Sequence, residues 1–183
     1  MQIIFDFGAG PEEYVQTEAH RLAARPDICP HCLAYLCLEA LGYYSRWISS
    51  FRVFKPLRIW VRRFRCRSCG RTVSRLPSFA QPYRLIRNET IQRAFSGLQN
   101  EIDVLRWKLL LDIYWLQFTH WLPTLAPVIG QQFKRAPPSA RPMDWWLFLL
   151  GLHGDISSLT EELIKSHQVT LFGRYHCHQP NPP

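Results

Sequence analysis

Nowhere does the chain hold the roughly 18 or more uninterrupted apolar residues that a membrane-spanning helix needs. Residues 145–150 are too short a run, and the apolar stretch after Arg106 is broken by Lys108, Asp112 and Gln117. Residues 1–7 lack the basic start and apolar stretch of a secretory signal peptide. The expectation is a soluble protein of the reduced cytoplasm, associated with the nucleoid and not with a membrane, whose six cysteines do not serve as a disulfide framework.

Catalytic motifs are missing as well. There is no nucleophile elbow, no Gly-rich phosphate loop and no H-E-x-x-H pair. Asp103 and Asp112 lie nine residues apart, about two and a half helical turns, so they face different sides. With Asp144, Asp155, Glu161 and Glu162 they read as caps and surface charges, and no enzymatic activity is expected. Acidic residues are also scarce where basic ones crowd. Residues 46–93 carry thirteen Lys/Arg against Glu89 alone, while residues 1–45 have a net charge of −4 and residues 94–183 a net charge of zero. A surface for a polyanion would concentrate charge in this way.

What is present centres on two short knuckles. Cys29-Pro30-His31-Cys32 and Cys66-Arg67-Ser68-Cys69 each offer two sulfurs from one tight turn. Four thiolates, Cys29, Cys32, Cys66 and Cys69, complete a tetrahedral site for one structural Zn2+ with no open position. His31 lies inside the first knuckle and is read as a donor to solvent or phosphate, and Cys37 as an ordinary buried thiol. His176-Cys177-His178 is too short to close a site, since neighbours on a strand point apart.

The expected fold class is α+β: a small β-rich zinc ribbon with four cysteine ligands, followed by a mainly helical region. Residues 1–28 read as a strand (2–7) and a helix (11–24) packing on the ribbon, which spans 29–83. Within it, residues 38–48 and 56–65 read as strands joined by a loop around 49–55, and residues 71–75 as a closing strand. Alternation along the second strand sets Ile59, Val61 and Arg63 on one side and Arg58, Trp60, Arg62 and Phe64 on the other. The latter side could stack on bases and pair with phosphate.

A helical region at 84–133 begins at an Asn88 cap, with Gly97 as a break. Ile102, Leu105, Leu109, Ile113 and Leu116 mark one helical stripe, widened by Trp107, Leu110, Tyr114, Phe118 and Trp121 up to Pro123. Residues 134–142 read as a basic, Pro-rich linker, and 143–183 as a helical pair capped by Asp144 and Asp155, with a tail.

The run from Val61 to Tyr83, preceded by Cys29-Pro30-His31-Cys32, resembles the zinc-ribbon domain of bacterial insertion-sequence transposases and small transposon-associated proteins. The shared pattern is C-P-x-C, then R-R-F-x-C-x-x-C-G-R-T-x-S, then L-P-x-F-x-x-P-Y, and it covers about a third of the chain. Leu33 stands where such ribbons commonly have Gly. The resemblance implies binding of transposon DNA. The expected contacts are from Arg58, Arg62, Arg63, Arg65, Arg67, Arg71 and Arg75 to backbone phosphates. After the helices no room is left for a complete transposase catalytic domain, so an accessory DNA-binding protein or a truncated relative is implied. Two other readings remain. One is a protein-interaction module that binds a transposase, or itself, through the aromatic helices. The other is an RNA-binding ribbon that stacks bases on Trp60 and Phe64.

Overall fold

The computed structural model describes residues 1–50, 55–98, 102–134 and 141–174, and the fold is α+β. The chain divides into two compact units, Met1–Arg87 and the segment from Asn88 onward. The expected linker core at 135–140 and the His176-Cys177-His178 tail lie outside the described residues.

The first unit is a four-stranded sheet in the order β1-β4-β3-β2. Strand β1 (Gln2–Phe5) runs parallel to β4 (Thr72–Pro77), while β2 (Leu38–Ile48) and β3 (Leu57–Cys66) form an antiparallel pair, and β3 is also antiparallel to β4. A bulge between Ala40 and Gly42 shifts the β2–β3 register, and Gly42 supplies the positive φ of 112° there.

Burial along β3 changes sides midway. Ile59 and Val61 are buried on one face, together with Ile4 and Leu76. Phe64 and Cys66 are buried on the other, against Cys29, Cys37, Leu38 and Val73. One strand therefore serves two small cores, one on each face of the sheet. Phe64 belongs to the cysteine core and is 2% exposed, so it does not join Trp60 as a stacking surface.

The helix expected over 11–24 is shorter. Helix α1 (Pro11–Gln16) ends at Thr17, Glu18 adopts the left-handed conformation (φ 50°), and a 3-10 turn follows at Ala19–Leu22. On an unbroken helix Tyr14 and His20 would stand about 120° apart. The break lets both reach the sheet: Tyr14 Oη donates to Trp60 O at 2.7 Å, and the His20 ring meets Tyr43 edge-on.

The second unit comprises α2 (Asn88–Phe95), α3 (Ile102–Arg106), α4 (Lys108–Phe133), α5 (Pro142–His153) and α6 (Ile156–His167). A two-stranded ribbon of β5 (Val169–Thr170) and β6 (Gly173–Arg174) completes it. Helix α4 continues past Pro123, where the sequence reading ends it, and past Pro127 as well. Both prolines are exposed and lie four residues apart, so the hydrogen bonds they forfeit face water. Its inward seam is Leu111, Tyr114, Phe118, Leu122, Leu125 and Ile129.

Phe95 is the centre of that core. It makes edge contacts with Trp115, Trp146 and Phe172, and Trp146 also packs on Phe118. Two indoles find polar partners: Trp121 Nε1 donates to Thr170 O and Trp146 Nε1 to Ser96 Oγ. Trp107, Trp115 and Trp121 are half-buried and form no open aromatic patch. Asp155 caps α6 as expected, accepting from the N–H groups of Ser157 and Ser158. At α5, Pro142 takes the first helical position, and Asp144 pairs with Arg141 in the first turn.

Candidate metal centre and the basic sheet face

Both knuckles fold into the same turn. Leu33 N–H donates to Cys29 O and Gly70 N–H to Cys66 O, each at 2.9 Å. The residue after each knuckle is left-handed, with φ 60° at Leu33 and 71° at Gly70. Leu33 thus takes the glycine geometry in spite of its side chain, a conformation that costs a residue with a Cβ about 1 kcal/mol. β3 and the bulged β2 then bring the second turn beside the first, and Arg67 N–H donates to Cys37 O at 2.8 Å to hold them there.

The sulfurs of Cys29, Cys32, Cys37 and Cys66 all lie within 4.8 Å of one another. Cys69 Sγ stands 3.8 Å from Cys29 Sγ, and Cys32 Sγ 3.6 Å from Cys66 Sγ. A tetrahedral metal with bonds of about 2.3 Å to sulfur has sulfur–sulfur edges of about 3.8 Å, so these separations suit a closed thiolate site. The arrangement fits a zinc ribbon. Among the described residues, this is where potential metal ligands of the His, Cys, Asp and Glu types converge in a group of three or more.

Five sulfurs share the site, one more than a tetrahedron accepts: Cys69 falls outside the group whose sulfurs all lie within 4.8 Å of one another, and Cys37 lies inside it. Its Sγ lies 3.2 Å from Cys66 Sγ, shorter than a tetrahedral edge, and it donates to Ala34 O at 3.1 Å. Burial, and then the hydrogen bond to Cys66, push the Cys37 thiol up to about 11. Burial alone would raise Cys66 too, but donation from the Cys69 N–H and the neighbouring thiols brings it down to about 6. Cys66 is thus readily ionised, while burial pushes up the thiols of both Cys37 and Cys69, the latter to about 12. The sequence reading takes Cys37 as an ordinary buried thiol; it is buried, and it lies among the knuckle sulfurs. Its position one residue before the strand that returns to the knuckles was the available signal.

His31 engages Arg71, whose Nη1 lies 3.4 Å from His31 Nδ1. Burial first, then the positive charges of the N-terminus and Arg71, lower its pKa, so the ring is neutral near pH 7.

The seven arginines singled out from the sequence do not share one face. Arg58, Arg62 and Arg75 lie on the side bearing Trp60, Arg63 and Arg65 on the opposite side, and Arg67 and Arg71 at the second knuckle. Several are already engaged. Arg62 lies over the rings of Tyr43 and Phe64 at 5.2 and 5.6 Å and donates to Tyr43 Oη. Arg75 lies over Phe5 and donates to Ala24 O, Arg63 lies over Tyr44, and Arg67 pairs with Glu39.

On the Trp60 side the register builds a ladder. Tyr43 stands opposite Arg62, Ser45 opposite Trp60, and Trp47 opposite Arg58. Tyr43, Trp47 and Trp60 are all exposed, and the Arg58 guanidinium lies 5.0 Å over the Trp60 ring. Three exposed aromatic rings alternate here with two cations.

Residues 29–106 match the model of a domain of unknown function, DUF6431. That span takes in both knuckles and the three strands β2 to β4, then continues through α2 to the end of α3. No curated protein and no solved structure matches the chain. Among the described residues, no helix is long and apolar enough to cross a membrane.

Proposed function

We propose that this is a zinc-stabilised, non-catalytic nucleic-acid-binding protein. The observation that carries the reading is the ladder of Tyr43, Trp47, Arg58, Trp60 and Arg62, set in a segment with thirteen basic residues and one acidic. Rings supply sequence-tolerant stacking and guanidinium groups supply phosphate contacts, the pairing that nucleic-acid surfaces use. Zinc is the metal that best suits a closed set of thiolates, and its role is to hold the two knuckles together. The resemblance to transposase zinc ribbons supports DNA as the polyanion and a transposon-associated role, with a transposase as a further partner.

The carboxylates support the non-catalytic assignment. Asp103 is buried and accepts from Thr90 Oγ1, whereas Asp112 is exposed and paired with Lys108.

The test is binding to a duplex of DNA and to single strands of DNA and RNA, from roughly 50 to 200 mM salt. Duplex affinity is expected to fall by orders of magnitude across that range, as counterion release by several arginines requires. A flat salt response would refute the nucleic-acid reading. The exposed Tyr43, Trp47 and Trp60 favour a second reading, in which the preferred ligand is single-stranded. Tighter binding of a single strand than of duplex at equal salt, weakened by Trp60→Ala, would select it.

A further inference from the structure

A tetrahedral thiolate site has four positions, and five sulfurs stand at this one. Cys29, Cys32 and Cys66 form a trio that either remaining thiol can complete. Cys37 completes it from the start of β2, with all four sulfurs within 4.8 Å of one another. Cys69 completes it from the second knuckle. Its thiol is hydrogen-bonded with those of Cys66, Cys32 and Cys29, and its Sγ lies 3.8 Å from Cys29 Sγ, the length of a tetrahedral edge.

Both thiols are tethered to the trio, and each has a place to rest when it holds no metal. Cys69 N–H donates to Cys66 Sγ at 3.4 Å, and Arg67 N–H, from the same knuckle, donates to Cys37 O at 2.8 Å. The Cys37–Cys66 separation of 3.2 Å opens to a tetrahedral edge with a rotation of about 20° about the Cys37 Cα–Cβ bond, inside one rotamer well. At rest the Cys37 thiol donates to Ala34 O at 3.1 Å, so its buried proton is satisfied. Cys69 is only half-buried and rests against water.

We infer that Cys37 and Cys69 share the fourth position, so that the ion is held by Cys29, Cys32, Cys66 and either one of them. This shared position rests on the metal reading of the proposed function and not on nucleic acid. It gives the centre a property that a ribbon with four cysteines lacks. A soft electrophile can take the half-buried Cys69 while the buried Cys37 keeps the ion in place.

Titration of the full-length chain with Co2+, whose thiolate charge-transfer absorption counts sulfur ligands, tests this. The wild type, Cys37→Ser and Cys69→Ser should each bind one Co2+ through four thiolates, with affinities within about tenfold of one another. The double variant should lose one thiolate and more than about a hundredfold in affinity, and Cys32→Ser, in the trio, should do so alone. On the Zn2+-loaded wild type, N-ethylmaleimide should alkylate Cys69, its Sγ joining one alkene carbon and its proton passing to the other. Zn2+ should stay bound, with Cys29, Cys32 and Cys66 protected. Loss of Co2+ binding in either single variant overturns the shared position alone, as does a Cys32→Ser variant that keeps four thiolates. Zn2+ expelled by alkylation of Cys69, or Cys69 protected as fully as Cys32, overturns it too. A wild type that takes up no Co2+ overturns the metal reading and the shared position with it.

Discussion

Phe64 and Phe118 are both buried aromatic side chains, one in each unit, and their surroundings differ in kind. Phe64 lies among Cys29, Cys37, Cys66, Leu38 and Val73 at the end of a sheet whose two faces carry separate small cores. Phe118 lies against Trp115, Phe95 and Trp146, in a core continuous with the leucine and isoleucine seam of α4. A sheet that divides its apolar side chains between two faces gathers little hydrophobic free energy on either, and a metal held by the knuckle sulfurs would supply the rest. The helical unit gathers its buried aromatic and aliphatic side chains into one core.

The sharpest way to break this contrast is to remove the metal. Chelation, or Cys66→Ser, should abolish metal binding and unfold the sheet, a loss on the order of 10 kcal/mol. Helical circular dichroism from the second unit should persist. Collapse of both units together would show that the helical core is not self-sufficient.

The reciprocal experiment is Phe118→Ala. Deleting this fully buried ring should cost about 3–5 kcal/mol and lower the Tm of the helical unit, while metal content stays at the wild-type level.

A smaller effect is expected at the Asp155 cap, where Asp155→Ala should cost the helical unit about 1 kcal/mol at pH 7. Burial would raise the Asp155 pKa, but the hydrogen bonds from Ser157 and Ser158 outweigh it and hold the carboxyl below its ordinary value. A depressed folded-state pKa means the contribution is complete above about pH 4 and fades as pH falls through the folded value. The gap between wild type and variant, followed by denaturant unfolding from pH 7 to pH 2, should therefore close at the acid end.

The smallest change concerns the first knuckle. Leu33→Gly relieves left-handed strain but adds freedom to the unfolded chain, so a net gain of roughly 0.5 kcal/mol is expected. It should appear as about a twofold increase in metal affinity in a chelator competition.

Much of the first unit was legible because its signals are local. β2 has the bounds that alternation and turn chemistry assign to it, and the C-x-x-C spacing places two sulfurs per knuckle whatever surrounds them. The Asp155 cap was legible for the same reason, as the side chain acts on amides two and three residues away. Features set by distant neighbours were not. Glu18 breaks the first helix so that Tyr14 and His20 can both meet the sheet, and nothing within residues 11–24 reports that sheet. Helix α4 passes Pro123 because that side of it faces water, which a sequence cannot display.

The sequence by itself determined that two cysteine knuckles would carry a metal-binding geometry, that basic charge would gather around them, and that helices would follow. These depend on spacing, charge and period, which are properties of neighbouring residues. Tertiary structure decided that Cys37 joins the sulfurs, that Phe64 leaves the aromatic face, and that the stripe through Leu109 lies outside while Tyr114 and Phe118 lie inside. Period shows that a helix has apolar stripes, but the element packed against it chooses which stripe is buried.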